Sequence, residues 1–212
     1  MPMLRSALQS ARHLQATPPF AAAGQRVGLM GGTFNPPHEG HALCATTALR
    51  RLELDQLWWM VTPGNPLKSD AGLAPLETRI AVSRALIHDP AIKVTGFEAA
   101  LDSPYTYATV RYLTQHMPRV RFVWVMGADN LAAFHRWAHW KEITRLVPIA
   151  VVDRPAWHLP ALSSPAARTL ARRRLPESAA PLLADRKLPA WVFLKSRLSE
   201  ASSTALRAAK AG

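Results

Sequence analysis

The stretch VGLMGGTFNPPHEGHALCATTALRRL, residues 27–52, decides the fold. A short apolar run stops at Gly31 and Gly32, and two prolines follow. His38 and His41 then stand where Ala42, Ala45, Leu49 and Leu52 begin an apolar stripe at helical spacing. Strand, glycine turn and helix in that order open a βαβ unit. The glycines lack a Cβ, so φ is free to turn positive and a ligand can approach the backbone; a plain strand-to-helix turn would use the same dipeptide. The spacing is not the GxGxxG dinucleotide fingerprint. His38 and His41, three apart, share one face of the first helical turn, where free N–H groups and a partial positive charge favour anions. Imidazoles there can donate hydrogen bonds to phosphate oxygens without a permanent charge. HEGH is not the zinc motif HExxH, whose histidines are four apart, so no metal pair is expected.

Outward from this stretch the same alternation continues. Strands are expected near 26–31, 57–62, 92–97, 121–126, 148–152 and 191–195, and helices over 39–52, 75–88, 105–116, 131–145 and 203–210. The pattern predicts an α/β fold: a Rossmann-like, doubly wound, mostly parallel sheet with helices on both faces. The unusual residues fall after the strands: GGTFNPPHEGH after the first, PGNPLK after the second, GADN after the fourth, VDRP after the fifth, SEASSTALR after the sixth. All lie at or beyond carboxyl ends, where open parallel sheets bind ligands. Residues 155–189 break the alternation with six prolines and the basic knot RRR at 172–174; two short helices would suit this excursion, and no site is assigned to it. One domain over 26–212 is expected, preceded by a flexible extension over 1–25.

Of the net charge of +12, residues 141–212 carry 8, with 13 Lys and Arg against 5 Asp and Glu. Anionic partners come first to mind. A nucleic-acid binder should interleave exposed aromatics with a basic stripe, but the aromatics here lie mostly in expected strands and helices, away from the RRR knot. No apolar run is long enough to span a bilayer, and the first residues lack the apolar core of a secretory signal. The single cysteine, Cys44, rules out an internal disulfide and fits a reducing cytoplasm; flanked by Leu43 and Ala45, it reads as a buried structural thiol.

Other candidates join the histidines. Lys68 in PGNPLK is a long cation on a loop beside the same sheet edge. Ser202, Ser203 and Thr204 open a short helix with hydroxyls and free N–H groups, and Arg207 follows one turn later, a set suited to phosphate. Trp137 in FHRWAHW could stack on a flat heterocycle, with Trp140 as its competitor and core packing as the default for both. Asp129 closes the fourth strand, placed to accept from a ribose hydroxyl or from a side chain near phosphate. Trp58 and Trp59, mid-strand, read as packing residues.

In GGTFNPPHEGH together with SSTALR the chain resembles the nucleotidyltransferase superfamily with a (H/T)xGH motif near its start and an SSTxxR-type motif near its end. Within it, the order of GGTFNPPHEGH, PGNPLK, SPYTYATVRYL, GADNLAAFHRWAHWKEI and VDRP is similar to that of bacterial nicotinate-nucleotide adenylyltransferases. The resemblance covers about residues 26–207. It implies transfer of AMP from ATP to nicotinate mononucleotide in NAD synthesis. It also implies roles: His38, His41, Lys68 and Arg207 on the phosphates; Gly31, Gly32, Thr33, Ser203 and Thr204 around ATP; Thr106, Asp129, Trp137 and Ala138 around the mononucleotide. Magnesium would ride with ATP, with no metal site built by the protein. The resemblance also leads to the expectation that many relatives continue past the arginine through a longer terminal helix than the few residues that follow Arg207 here. The runner-up acceptors are nicotinamide mononucleotide and phosphopantetheine.

Overall fold

The computed structural model describes residues 17–64, 72–101 and 103–196. Among them seven strands form one sheet, ordered β3-β2-β1-β4-β5-β7-β6, with every pairing parallel. The strands are β1 (Arg26–Gly32), β2 (Gln56–Val61), β3 (Ile92–Thr95), β4 (Arg121–Gly127), β5 (Ile149–Val152), β6 (Arg174–Leu175) and β7 (Trp191–Leu194). The helices are α1 (Glu39–Arg51), α2 (Leu76–Leu86), α3 (Thr106–His116), α4 (Ala128–Ala133), α5 (Trp140–Leu146), α6 (His158–Leu162) and α7 (Pro165–Thr169). The chain winds outward from β1 through β2 to β3, then returns to place β4 on the other side of β1. That reversal makes the carboxyl ends of β1 and β4 the switch point, the position where open parallel sheets bind ligands.

The central strands are apolar throughout because both sheet faces are covered. One face buries Trp58, Met60, Trp124 and Phe134; the other buries Trp59, Val61, Val123 and Leu49. Trp58 and Trp59 are fully buried, so each contributes on the order of 5 kcal/mol by leaving water. Trp58 Nε1 donates to Gln56 Oε1 at 3.0 Å, whereas the indole N–H groups of Trp59 and Trp124 find no partner among the described residues. An orphaned donor costs roughly 1–3 kcal/mol, so burial still wins at those two positions.

Helix α1 buries Cys44, Ala45, Ala48, Leu49 and then Leu52, so the apolar stripe falls where the spacing puts it, except that Ala42 is half-buried. Cys44 is a structural thiol, pushed up to about 12 by burial first and then by the negative charge of Asp129, against a lowering by Arg154.

Three expectations need correction. Gly31 and Gly32 are the last residues of β1, and neither has a positive φ; the turn comes later, at Phe34 with φ 46°. The helix expected over 131–145 is broken: α4 ends at Ala133, a 3-10 turn covers Phe134–Arg136, and left-handed His139 (φ 55°) precedes α5. The excursion at 155–189, for which the sequence left two short helices as one option, holds α6 and α7 and also supplies β6 and the 3-10 helix Glu177–Asp185. Ala161, Ala166 and Leu183 in it are buried, and Arg174 of the RRR knot lies over the rings of Trp191 and Phe193. Ahead of β1, Ala21 is buried and Gly24 N–H donates to Arg119 O at 2.7 Å, so the tie to the sheet begins before residue 26. The helix expected over 203–210 lies outside the described residues.

Candidate active site

The switch point gathers its polar groups from three loops. His38 is the N-cap of α1: its Nδ1 accepts from the Gly40 N–H at 3.1 Å, using the side chain where a serine or aspartate would ordinarily serve. Accepting at Nδ1 leaves the proton of the neutral ring on Nε2, as a donor. The ring is 5% exposed, and its pKa falls from 6.5 to about 4, by burial first, then by the positive charge of Arg154, with Asp129 opposing. At pH 7 His38 is therefore a neutral hydrogen-bond donor.

His41 lies one helical turn on, its ring centroid 3.7 Å from that of His38. Phe34 meets His41 edge to face at 5.0 Å, and Trp59 does so at 6.0 Å. The imidazole pair is thus in close, tilted ring contact at an interplanar angle of 32° and walled by aromatics from the β1–α1 loop and β2.

Asp129, in the first turn of α4 behind Gly127, pairs with Arg154 from the loop after β5; Arg154 Nη1 lies 3.3 Å from both carboxylate oxygens. The packing leaves no room for a side chain at position 127. A Cβ there would come within 2.4 Å of Asp129 Oδ1 and 2.8 Å of Arg154 Cδ. A Cβ on Gly31 would fall 2.9 Å from Trp124 Cη2, and one on Gly32 would fall 3.1 Å from the ring of Phe34. The two glycines thus make room for the protein's own rings, a reason the dipeptide alone does not reveal. Thr33 follows them, its carbonyl accepting from Arg79 at 2.7 Å.

A second group lies on the opposite face of the sheet. Thr106 opens α3, and the next residue, Tyr107, packs its ring 4.8 Å from that of His139, beside Trp137 and Ala138. Trp137 is half-buried and stands edge-on to Trp124 at 6.1 Å and to Phe134 at 5.3 Å. Trp140 reaches Phe134 at 5.8 Å from the far side. Through Trp124, whose ring tip abuts Gly31, this aromatic group adjoins the end of β1 that leads to the histidines.

Of the residues singled out from the sequence, the described structure brings His38, His41 and Asp129 near one another, and links the segment of Trp137 and Ala138 to that of Thr106 only through their neighbours His139 and Tyr107. Lys68, Ser203, Thr204 and Arg207 lie outside the described residues. Sequence reasoning missed Arg154, although VDRP had been placed on this rim, and missed Arg79, which is buried beneath it. An arginine in a loop or in an amphipathic helix carries no spacing signal, so only the fold reveals either. Among the described residues, no group of three or more His, Cys, Asp or Glu side chains could hold a metal ion, and no helix is long and apolar enough to cross a membrane.

Comparison with known proteins places this geometry. The family model for cytidylyltransferase-like proteins matches residues 29–209. A Rhizobium meliloti protein named "Probable nicotinate-nucleotide adenylyltransferase" is 59% identical over 186 residues, covering 88% of this chain and 99% of its own. A Methylorubrum extorquens protein of the same name is 55% identical, covering 86% and 98%. The solved Plasmodium falciparum nicotinic acid mononucleotide adenylyltransferase complexed with NaAD superposes with a TM-score of 0.66 at 15% identity, over 87% of this chain and 83% of that one, a likeness of fold. With its sheet, its HxxH-bearing helix mouth and these relatives in agreement, the chain belongs to the cytidylyltransferase-like nucleotidyltransferases and, within them, to the nicotinate-nucleotide adenylyltransferases.

Proposed function

We propose that the chain moves AMP from ATP to nicotinate mononucleotide, releasing pyrophosphate and forming nicotinate adenine dinucleotide, a step in NAD synthesis. The observation that carries the reading is the convergence at the β1–β4 switch point of two touching imidazoles at a helix N-terminus with the Asp129–Arg154 pair. The names of the relatives and the NaAD-bound structural neighbour support the choice of reactants.

The attacking atom is a phosphate oxygen of the mononucleotide. It bonds to the α-phosphorus of ATP as the bond to the bridging oxygen breaks, and pyrophosphate leaves with the electron pair. Phosphate is already largely a dianion near pH 7, because its second pKa is about 6, so the attack needs no general base. The task is to hold two polyanions together and to stabilise charge on the α-phosphoryl group and the leaving pyrophosphate. His38 Nε2–H donates to phosphate oxygens as a neutral group, His41 donates beside it, and the free N–H groups of α1 add a partial positive charge. Thr33 and the ends of β1 border the nucleotide. Lys68, Ser203, Thr204 and Arg207 supply further donors to ATP. Asp129, braced by Arg154, accepts from the nucleotide near β4, and Trp137 with Ala138 and Thr106 holds the pyridine ring and its carboxylate.

Each oxygen of Asp129 gives one lone pair to Arg154 and keeps another for the nucleotide, and among the described residues no group of three or more His, Cys, Asp or Glu side chains could hold a metal ion, so the donor set suits magnesium held by ATP phosphates and water. The ion would neutralise phosphate charge. The chain's own groups orient the phosphates.

The test is pyrophosphate release by the purified protein with ATP, magnesium and each of three acceptors. Nicotinate mononucleotide should be fastest. Equal or greater activity with nicotinamide mononucleotide or phosphopantetheine would remove the acceptor assignment.

A further inference from the structure

Arg79 stands in the first turn of α2, on a helix whose basic residues should face water, yet it is 3% exposed. Its guanidinium is spread over four backbone carbonyls. Nη1 donates to Thr33 O and Thr62 O, each at 2.7 Å; Nη2 donates to Pro63 O at 3.0 Å; Nε donates to Ala74 O at 2.8 Å. One side chain thereby ties the β1–α1 loop to the exit of β2 and to the approach to α2. Asn35 reinforces the tie, donating to Gly72 O at 2.9 Å and accepting from the Ala74 N–H at 3.2 Å.

What Arg79 holds in place is Phe34. The Thr33 carbonyl belongs to the peptide that leads into Phe34, and Phe34 takes φ 46°, a left-handed conformation that a bulky residue adopts only when its surroundings impose it. A planar trans peptide with its oxygen fixed on Arg79 has its N–H direction fixed as well, which constrains the start of Phe34. The far side of Phe34 is its ring: 3% exposed, 4.4 Å from Trp59, and edge to face against His41 at 5.0 Å. The path from Arg79 to the His41 imidazole is thus one hydrogen bond, one residue and one ring contact. The same hydrogen bonds draw the negative ends of the Thr33, Thr62 and Pro63 carbonyls onto a buried cation, rather than leaving them on a rim that must receive polyphosphate.

We infer that Arg79 is a positioning residue for adenylyl transfer, setting the His41 imidazole through Thr33 and Phe34. The inference rests on the function proposed above, but its first readout needs no turnover. In full-length protein without substrate, the ring resonances of His41, assigned by their loss in His41→Gln, are compared between wild type, Arg79→Met and Arg79→Lys. Melting temperature, kcat and KM are measured on the same samples. Arg79→Met is expected to displace the His41 resonances and to lower kcat roughly 100-fold, the scale of an ångström-level misplacement. KM for ATP should stay within about threefold, since an interaction expressed in the transition state is the one lost. Lysine keeps the charge but cannot span the fork of carbonyls, so Arg79→Lys should keep the fold and fall between. If Arg79→Met fails to fold, Arg79→Lys carries the same comparison. Unmoved His41 resonances in a folded variant, or an activity loss that merely follows the melting temperature, would overturn the inference. A wild type that releases no pyrophosphate overturns the function instead, and the resonance comparison still decides the positioning.

Discussion

A histidine that caps a helix with Nδ1 has committed one nitrogen to architecture and freed the other for a ligand. His38 does this beside the Asp129–Arg154 pair. Its folded pKa of about 4 lies below the ordinary 6.5. Above pH 6.5 the ring is neutral folded and unfolded, and its full contribution to stability is present. As the pH falls the unfolded chain takes the proton first, and the contribution is lost as the pH passes down through about 4. Protonation of His38 therefore does not set the activity of the unliganded enzyme between pH 6 and 8. Burial is the larger cause and Arg154 the second, so Arg154→Met should raise the His38 midpoint while leaving it below 6.5, with Asp129 no longer opposed. Imidazole titration by NMR reads this directly. An unchanged midpoint would show that Arg154 and His38 are not coupled, and the rim would then be two separate sites.

At the scale of elements, α3 is seated by a buried acid. Glu98, in the 3-10 turn Phe97–Ala100, accepts from Thr109 Oγ1 at 2.7 Å, and its other oxygen has no hydrogen-bond partner among the described residues. Burial lifts its pKa from 4.5 to about 7, against a smaller lowering by Thr109. A raised folded value means that the contribution to stability is fully present below pH 4.5 and is lost as the pH rises through about 7, a change of roughly 3 kcal/mol. Glu98→Gln keeps the acceptor for Thr109 and removes the ionisation. Its stability relative to wild type should climb by up to that amount between pH 5 and 8 in denaturant titrations; parallel curves would show that Glu98 is ionised in the folded protein at both ends. Nothing in FEAALDSPYTY announces this, since a glutamate is read as exposed until a helix is laid over it. The same limit explains the other misses. The strand–loop–helix order around residues 27–52 was legible because period and glycine placement are local. Arg79 and Arg154 were not, because their partners lie 46 and 25 residues away, at Thr33 and Asp129. The helix expected over 131–145 failed where aromatic packing of Phe134, Trp137 and Trp140 overrode local propensity. The two-residue β6 is too short to show any alternation.

For the molecule as a whole, the surplus of 26 Lys and Arg over 14 Asp and Glu has to be reconciled with a function that concerns small anions. Several acids are already spent: Asp185 on Arg26 and Arg121, Glu177 on Arg51, Asp129 on Arg154. These pairs staple the sheet and its rim. Arg121 and Asp185 join β4 to the 3-10 helix of the excursion, so the acids neutralise charge where the fold needs it and leave the rest of the surface positive. Such a surface draws ATP and a mononucleotide toward the sheet edge from a distance, whereas the short-range donors at the helix mouth act only after arrival. The two contributions separate by salt, because screening shortens the reach of surface charge from about 10 Å at 0.1 M to about 3 Å at 1 M while leaving a bound phosphate's contacts largely intact. Raising KCl across that range should lower kcat/KM for ATP several-fold and change kcat by no more than about twofold. A kcat/KM indifferent to salt would assign the surplus to another anionic partner. Tight, salt-sensitive binding of RNA homopolymer that competes with ATP would place that partner on the same rim.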